Sequence, residues 1–523
     1  MKNNCFLLLS ALLIAVFTGC EKNNDVSSNS STSSVTTNTG DDNSDFVDNE
    51  TWSSTISIVW DGTDVSVTGS ATGVTVSNGN GYVTVNSTVK NIEYAVSGSG
   101  TGQLSIYSSY KFKLSLNGLN LSCTDGPAIN NQCKKTCYAV LSGTNTLTDG
   151  STYATSSEDR KAAFFSEGQI CFSGSGTLNV TGNYKHAVAS DDYIRLCSGT
   201  GTINLTANGS DGLHANDGII INDGTLTINA AGEGIQCDTS SIVITGGNIN
   251  ITSTGDKGIL AYGNIEISGG TTEIKSYSKC IKTQSNIVIS AGTVTAVCNG
   301  SSSNDNTPEG IEAKGTITIS GGYIYAQAYD DAINCGDKDT GAGDMTISGG
   351  YVMAYSTGGD GLDANGNMYI KGGVVYAICG GNAEVALDAN SEKQRQLYVQ
   401  GGMLVAIGGL ENGASLSQTC YSATASTNTW YALDGGSETF AFKTPSSLKT
   451  TTMVVSTSGT TSLTSGVTAN GTSILNGYCY TGATVSGGSN VSLNSYTGGN
   501  NGGFGGGGQP GGGGQHGGGR GGR

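Results

Sequence analysis

The sequence predicts an all-β chain whose central part is a solenoid of stacked β-coils, followed by a small C-terminal β-domain. A repeat of about 22 residues runs from about residue 180 to 410, and apolar residues alternate with polar ones within each repeat. The 523 residues include 83 glycines and only 4 prolines, a composition typical of many tight turns and few stiff linkers. No helix-length stripe of apolar residues follows the first 20 residues.

Each repeat is marked by a pivot, a string of the form acidic–Gly–Ile/Leu–x–Ala/Cys. Two pivots start at Asp211 and Glu233, which are 22 residues apart, as in Asp211-Gly212-Leu213-His214-Ala215. Two longer steps hold insertions at residues 301–308 and 337–343. The remaining pivots start at Glu309, Asp331 and Asp360, and at Lys257 and Lys279, where a lysine stands at the acidic position.

Alternating apolar residues indicate that the repeats stack as coils. Ile317-Thr318-Ile319-Ser320-Gly321-Gly322 is one of several strands that end in a Gly-Gly turn. Period-two alternation places both isoleucines on one face, which one repeat cannot bury alone. Stacking coils about 4.8 Å apart buries that face and extends parallel sheets. The period is too short for a propeller blade, and the Leu/Asn consensus of leucine-rich repeats is missing.

The N-terminus predicts export and lipid anchoring. Lys2 precedes an apolar stretch at residues 6–17, and Gly19-Cys20 follows it. The stretch is too short to span a membrane and resembles a lipoprotein signal peptide, with Cys20 as the lipidated residue. An ordinary signal peptide with an incidental cysteine is the alternative. We expect the bacterial cell envelope, facing the periplasm or on the cell surface.

These observations divide the chain into five segments. They are a lipoprotein signal peptide at 1–20, a disordered tether at 21–50, a parallel β-helix at 51–412 that begins with an N-terminal β cap region at 51–110, a C-terminal β-domain at 413–497, and a Gly-rich disordered tail at 498–523.

Net charge restricts the partners. The formal charge is −17, so nucleic acid is not expected as a ligand, because phosphate binding requires basic patches. The same charge repels an acidic polysaccharide unless a divalent cation bridges the two.

Strings upstream of the clean repeat carry a family resemblance. Leu116-Asn117-Gly118-Leu119-Asn120-Leu121 is followed by Gly143-Thr144-Asn145-Thr146-Leu147-Thr148-Asp149-Gly150, then by residues 182–192 and the pivots. Together they resemble the bacterial carbohydrate-binding domain-containing proteins, a calcium-binding, polysaccharide-lyase-like family. The resemblance implies a right-handed parallel β-helix, bound calcium, and binding of plant-type polysaccharides, including acidic pectic chains. The resemblance does not imply bound calcium at the coils of Lys161 and His186, because these coils lack the acidic pivot.

The pivot column predicts a calcium site. In-register stacking brings carboxylates of adjacent coils close together, where they repel unless a cation lies between them. Calcium takes six to eight oxygens, so side chains from consecutive coils would supply part of its shell. The alternative is that these residues are solvated turn residues. The predicted ligands are Glu309, Glu312, Asp331, Asn334, Asp360 and Asp363, with Asp211 and Glu233 as a smaller second cluster.

Tyrosines replace threonines at outward positions of the later coils. On a flat sheet they would form a platform for the apolar faces of sugar rings. Packing between strands, or cover by the C-terminal domain, is the alternative. The predicted carbohydrate-binding residues are Tyr323, Tyr325, Tyr351, Tyr355 and Tyr376.

No motif predicts catalysis, and none of the three histidines joins a recognisable metal or catalytic motif. Lys257, Lys279 and Lys282 share the pivot columns, so a calcium-dependent lyase with a lysine base is the enzymatic alternative. The sequence favours a non-catalytic, calcium-containing polysaccharide-binding lipoprotein over that lyase and over a structural adhesin.

Overall fold

The computed structural model describes residues 43–301, 307–381, 384–436 and 438–498. It is a β-solenoid of about 13 turns, with a separate antiparallel sheet near the C-terminus, so the predicted fold class is confirmed. The predicted signal peptide, Cys20, most of the tether and nearly all of the Gly-rich tail lie outside the described residues. Within the described ranges, no helix has the length and apolar character needed to cross a membrane.

One face of the solenoid carries the pivots, and we call it the pivot sheet. Its strands pair in parallel register except for the first two, which form an antiparallel hairpin. In chain order they are Val74–Gly79, Tyr82–Ser87, Leu104–Ser108, Ile129–Asn131, Ala162–Ser166, His186–Ser190, Leu213–Ala215, Ile235–Cys237, Ile259–Ala261, Ile281–Thr283, Ile311–Ala313, Ile333–Cys335, Leu362–Ala364 and Leu387–Ala389.

A second stack, the short sheet, follows the pivot sheet in each turn. Its strands are Cys137–Ser142, Ile170–Ser173, Tyr193–Leu196, Gly218–Ile221, Ile242–Ile244, Ile265–Ile267, Ile287–Ile289, Ile317–Ile319, Met345–Ile347, Met368–Ile370, Leu397–Val399 and Ser415–Leu416. Ser54–Gly62, Asp64–Thr68, Ile92–Thr101 and Phe112–Ser122 precede it at the N-terminal end.

The third stack, the long sheet, completes each turn after a Gly-containing bend. Gly322 adopts φ +89 there, and a Cβ would lie 2.7 Å from the carbonyl oxygen of Gly292 in the preceding coil, so a side chain is excluded. The strands are Thr144–Thr148, Thr177–Gly182, Thr202–Ala207, Thr225–Ala230, Asn248–Ser253, Thr271–Ser276, Thr293–Cys298, Tyr323–Ala328, Tyr351–Ser356, Val374–Ile378 and Met403–Ile407.

Antiparallel strands close the C-terminal end. Thr452–Ser456 pairs with Met403–Ile407 of the long sheet, and Cys420–Thr424 and Asn494–Tyr496 add to it. A six-stranded antiparallel sheet makes up the rest: Trp430–Asp434, Thr439–Lys443, Ser462–Ser465, Thr468–Ile474, Cys479–Ser486 and Ser489–Asn490. The short 3-10 helices are Asn43–Asp45, Val47–Asn49, Ser391–Lys393 and Leu475–Gly477.

Apolar side chains of all three sheets fill the interior as ladders. Ile259, Ile281 and Ile311 lie opposite one another in successive coils of the pivot sheet, and each is fully or almost fully buried. Cys237 and Cys335 occupy equivalent inward positions and are free thiols. The core is therefore continuous along the solenoid, as the alternation predicts.

The last residues of the predicted tether contact the solenoid. Asp45 is buried, and its Oδ2 lies 2.9 Å from Nη1 of Arg195, which is also buried. Phe46 lies under the same guanidinium, and Trp52 packs against Tyr138. A buried arginine requires a counter-charge, and Asp45 supplies it. This contact holds the segment around Asp45 against the solenoid.

We expect Ile289→Ala to destabilise the protein by about 2–5 kcal/mol, because it leaves a cavity in the interior ladder. Val288→Ala on the same strand is the matched control, since Val288 is 38% exposed, and its effect should stay within about 0.5 kcal/mol. Urea unfolding followed by circular dichroism measures both. Equal losses in the two variants would contradict the assignment of inward and outward faces.

Candidate functional site

Side chains from neighbouring coils converge on the outer surface of the pivot sheet. Each set, which we call a triad, contains a pivot residue, the pivot residue of the next coil, and the residue three positions after that second pivot. In one triad, Lys279 Nζ lies 2.5 Å from Glu309 Oε2 and 3.1 Å from Glu312 Oε2. In the next, Asn334 Nδ2 donates to Glu309 Oε1 at 3.0 Å and lies 3.4 Å from Asp331 Oδ2.

The pivot carboxylates also bind the backbone of the following coil. Asp331 Oδ1 accepts a hydrogen bond of 2.8 Å from the Asp360 backbone N–H, and Asp360 Oδ1 accepts one of 2.6 Å from Val385 N–H. Asp211 Oδ1 accepts from Glu233 N–H at 3.0 Å. In these three aspartates one carboxylate oxygen is therefore structural, and the second oxygen remains for other partners. Neither the calcium-ligand interpretation nor the alternative of solvated turn residues predicted this role.

The predicted calcium ligands of the later coils line one large cleft. Glu309 and Asp360 are buried, and Asp331 and Asp363 are half-buried, so these residues do not extend separately into solvent. We call this feature the acidic cleft: it has a volume of about 980 Å³ and is lined by Glu309, Asp331, Asn334, Asp360, Asp363 and Asp388, with Lys314, Lys338 and Lys393 also at its wall.

The roles of two residues in this region differ from those predicted from the sequence. Asp388 was not predicted, but it lies opposite Asp363 in the next coil. The string Leu387-Asp388-Ala389 repeats Leu362-Asp363-Ala364 and could have revealed it, although Val385 replaces the acidic pivot. Glu312 was predicted as a ligand, but Lys279, Lys282 and Lys314 surround it. It does not line the cleft.

Burial and mutual repulsion favour protonation of the cleft carboxyl groups. Burial, with the nearby Asp331 charge, raises the pKa of Asp360 and of Asp363 to about 8. Burial also raises the pKa of Asp331 to about 7, with Asp330 contributing. The same effect, with Glu312 contributing, raises the pKa of Glu309 to about 7. Oxygen donors are the type that a hard divalent cation binds, and such a cation would compete with these protons for the carboxylates.

The lysine-containing coils are already neutralised by their own ion pairs. Burial opposes ionisation of Glu312, but the three lysines around it outweigh burial and lower its pKa to about 2. Lys257 lies 2.6 Å from Asp256 Oδ1 and 3.2 Å from Glu233 Oε1. Although burial opposes its charge, these partners raise the pKa of Lys257. Such pairing stabilises the ammonium form, whereas a general base requires the neutral amine.

The smaller predicted cluster is organised around histidines instead of two acids. Nδ1 of His186 and Nδ1 of His214 each lie 3.0 Å from Asp211 Oδ2, and the imidazole rings stack at 4.2 Å. Burial lowers the pKa of His186 to about 4. No metal or catalytic sequence motif contains these histidines, and the fold brings them together with Asp211. His186 stands at a pivot position and His214 three residues after Asp211, so the triad spacing could have revealed both.

The predicted tyrosine platform is largely covered by the C-terminal β-strands. Tyr325 is 1% exposed and Tyr376 is 0% exposed, so a glycan cannot reach them and their assignment as carbohydrate-binding residues is corrected. Tyr323, Tyr351 and Tyr355 are half-buried against the same apolar cluster. The alternation predicted that these side chains point outward, but it contained no information on what lies over them.

A different pair of tyrosines is accessible on the short sheet. Tyr369 and Tyr398 are opposite each other in adjacent coils, half-exposed, and stacked with ring centroids 5.0 Å apart and planes 6° apart. Lys371 Nζ lies 4.9 Å from the centroid of Tyr369. This pair was not singled out from the sequence, although each tyrosine stands between two inward apolar residues.

Comparisons with known proteins identify the family of this chain. The family model described as "Carbohydrate-binding domain-containing protein" matches residues 77–361, more than half of the chain. A solved structure titled as the polysaccharide lyase-like protein from C. thermocellum, in a gadolinium derivative, is 22% identical, covers 51% of this chain and 96% of its own, and gives a TM-score of 0.37. That likeness is too distant to support a functional argument. A comparison with curated proteins found no match.

We expect the metal-free protein to lose stability as the pH rises from about 5 to about 8. Asp360 and Asp363 have ordinary pKa values of 3.8 but values of about 8 in the folded chain, so the folded state holds protons that the unfolded chain has released. Thermal unfolding in the presence of a chelator measures this effect. Asp363→Asn should flatten the decline, whereas Glu273→Gln, at an exposed site, should not. A melting temperature that rises over this range would contradict the burial of these acids.

Proposed function

Because this chain belongs to the family of carbohydrate-binding domain-containing proteins, we propose that it is an exported lipoprotein that holds polysaccharide without cleaving it. The acidic cleft carries this proposal. It combines crowded carboxyl groups, whose repulsion on ionisation a bound cation would offset, with lysines at the wall of the same cleft that suit a polar ligand.

We assign calcium to the acidic cleft. Glu309, Asp331, Asp360 and Asp363 are the candidate donors, of which two at a time could contact one ion as the side chains are placed, and the ion would offset the repulsion that adds to burial in raising their pKa values. Among the described residues, no three of these carboxylates have ligand atoms all within 4.8 Å of one another. The remaining oxygens of a six- to eight-coordinate ion would therefore come from water, backbone or the glycan itself.

An acidic polysaccharide such as a pectic chain is the ligand class that this cleft favours. With a net charge of −17, the protein repels polyanions at long range, and a calcium ion would reverse that field locally. Lys338 and Lys393 line the same cleft and would pair with uronate carboxylates beside the ion. Calcium then serves as a bridge between two acidic surfaces.

Tyr369 and Tyr398 replace the covered tyrosines as the stacking platform in this proposal. Their parallel rings present a half-exposed aromatic surface on which the apolar face of a sugar ring would lie. Lys371 beside Tyr369 adds a positive charge that suits an acidic sugar.

The pairing of the lysines supports binding over lyase chemistry. Lys279 and Lys282 both contact Glu312, and Lys257 contacts Glu233, so each ammonium is stabilised beside a carboxylate. The lyase and the structural adhesin remain distinct outcomes of the experiment below.

We expect polygalacturonate to bind the wild-type chain with calcium present and to dissociate when a chelator is added. Asp363→Asn should weaken calcium binding by about tenfold, equivalent to about 1.4 kcal/mol, because it removes one charged oxygen donor. Isothermal titration measures calcium, and co-sedimentation measures the polysaccharide. The asparagine mimics the protonated acid, so the variant should fold.

Glu273→Gln removes the same charge at an exposed position on the long sheet and should leave both affinities unchanged. Polysaccharide binding that persists in chelator and in Asp363→Asn would contradict the calcium bridge. A growing ultraviolet absorbance of unsaturated uronides would favour the lyase. Failure to bind any polysaccharide, with calcium binding intact, would favour the adhesin.

Lipid anchoring at Cys20 remains a proposal from the sequence, since that residue lies outside the described ranges. We expect the wild-type chain expressed in a bacterium to partition with membranes and to carry a diacylglyceryl group at Cys20, detectable by mass spectrometry. Cys20→Ser should release the chain from the membrane fraction. An unmodified chain beginning at another residue would indicate an ordinary signal peptide.

A further inference from the structure

The triad of His186, Asp211 and His214 differs in chemistry from every acidic triad of the solenoid. Its potential ligand atoms are two imidazole nitrogens and one carboxylate oxygen, which all lie within 4.8 Å of one another. Among the described residues, this is the only set of three or more histidine, cysteine, aspartate or glutamate side chains gathered so closely. All three residues are buried, with exposures of 1%, 2% and 6%.

Neighbouring groups hold the side chains of Asp211 and His214 in place. Asp211 Oδ1 accepts from the Glu233 backbone N–H at 3.0 Å and from the Ser210 hydroxyl at 2.9 Å, which directs Oδ2 towards the two imidazoles. On the far side of His214, Nε2 lies 3.2 Å from Asp238 Oδ2. A carboxylate on the second nitrogen of a histidine is the arrangement that orients metal-binding imidazoles in proteins.

We propose that Nδ1 of His186, Oδ2 of Asp211 and Nδ1 of His214 bind a divalent transition-metal ion, with zinc as the best-matched metal. Two ligands at about 2.0–2.1 Å from a tetrahedral zinc ion lie about 3.3 Å apart. The present nitrogen–oxygen separations of 3.0 Å need to open by a few tenths of an ångström, and the two stacked rings need to turn so that both Nδ1 lone pairs face the ion.

The donor set selects against calcium at this triad. Imidazole nitrogen suits zinc, copper, iron and nickel, whereas calcium binds oxygen ligands. Three protein ligands leave further coordination positions for water or another donor. This site is separate in chain position from the acidic cleft, because the lysine-bearing coils of Lys257 and Lys279 lie between them. Its occupancy therefore does not depend on the calcium proposal.

The competing explanation is a metal-free ion cluster. His214 has a carboxylate oxygen near each ring nitrogen, so hydrogen bonds to Asp211 and Asp238 could hold the ring without a metal. The two explanations differ in a measurable way, because only the first requires one equivalent of metal per chain.

Equilibrium dialysis of the full chain against zinc chloride, after chelator treatment, tests the proposal by metal analysis. We expect one zinc ion per chain that excess calcium does not displace. His186→Gln and His214→Gln should abolish this equivalent. Asp238→Asn should weaken it by about 10- to 100-fold, the usual effect of losing an orienting carboxylate.

His516→Gln is the matched control, since it removes the third histidine of the chain from the Gly-rich tail and should leave zinc binding unchanged. Circular dichroism checks that each variant folds. Cobalt substitution of the wild-type chain gives an independent result: visible absorption bands of a tetrahedral or five-coordinate ion with nitrogen ligands are expected. No zinc uptake by the wild type, equal uptake by His214→Gln, or no such cobalt bands would overturn the proposal.

Discussion

In-register stacking of successive coils, about 4.8 Å apart, governs both the interior and the exterior of this solenoid. Inside, it places Ile259, Ile281 and Ile311 in one ladder, where each side chain covers the next. Outside, the same register places Asp363 beside Asp388 in the next coil. Apolar ladders are stabilised by this proximity, but ladders of like charge are destabilised by it, because burial removes the water that would screen them.

The triads show how the chain compensates for crowded charge. The ammonium group of Lys279 lies between Glu309 and Glu312 and acts as a built-in cation. At Asp211, two imidazoles take that place. Among the described residues no lysine or histidine forms an ion pair with Asp360 or Asp363, and burial raises the pKa of each to about 8. One backbone arrangement therefore supports sites of different chemistry, and the side chains at two positions of each coil decide which.

Much of the candidate site could be predicted from the repeat. The residues that the repeat missed or misassigned each have a specific physical cause. The pivot spacing correctly aligned Glu312, Asn334 and Asp363, because a parallel register is set by the period. The acidic pivot pattern does not include His186 and Asp388, although the geometry of the coil persists when the pivot residue changes. It misassigned Tyr325 and Tyr376 because cover by a distant segment leaves no trace in the local alternation.

The sequence by itself determined the solenoid, the period of its coils, and which side chains point inward or outward. These properties follow from short-range periodicity and from the need of each coil to bury its apolar face on a neighbour. Only the tertiary structure decided which outward residues are accessible, which carboxylates share one cleft, and which have lysine or histidine partners. Those outcomes depend on distances of a few ångströms between residues 22 to 30 positions apart in the chain. At such distances the side-chain rotamer, and the residue type at the facing position of the next coil, decide whether a charge is paired or repelled.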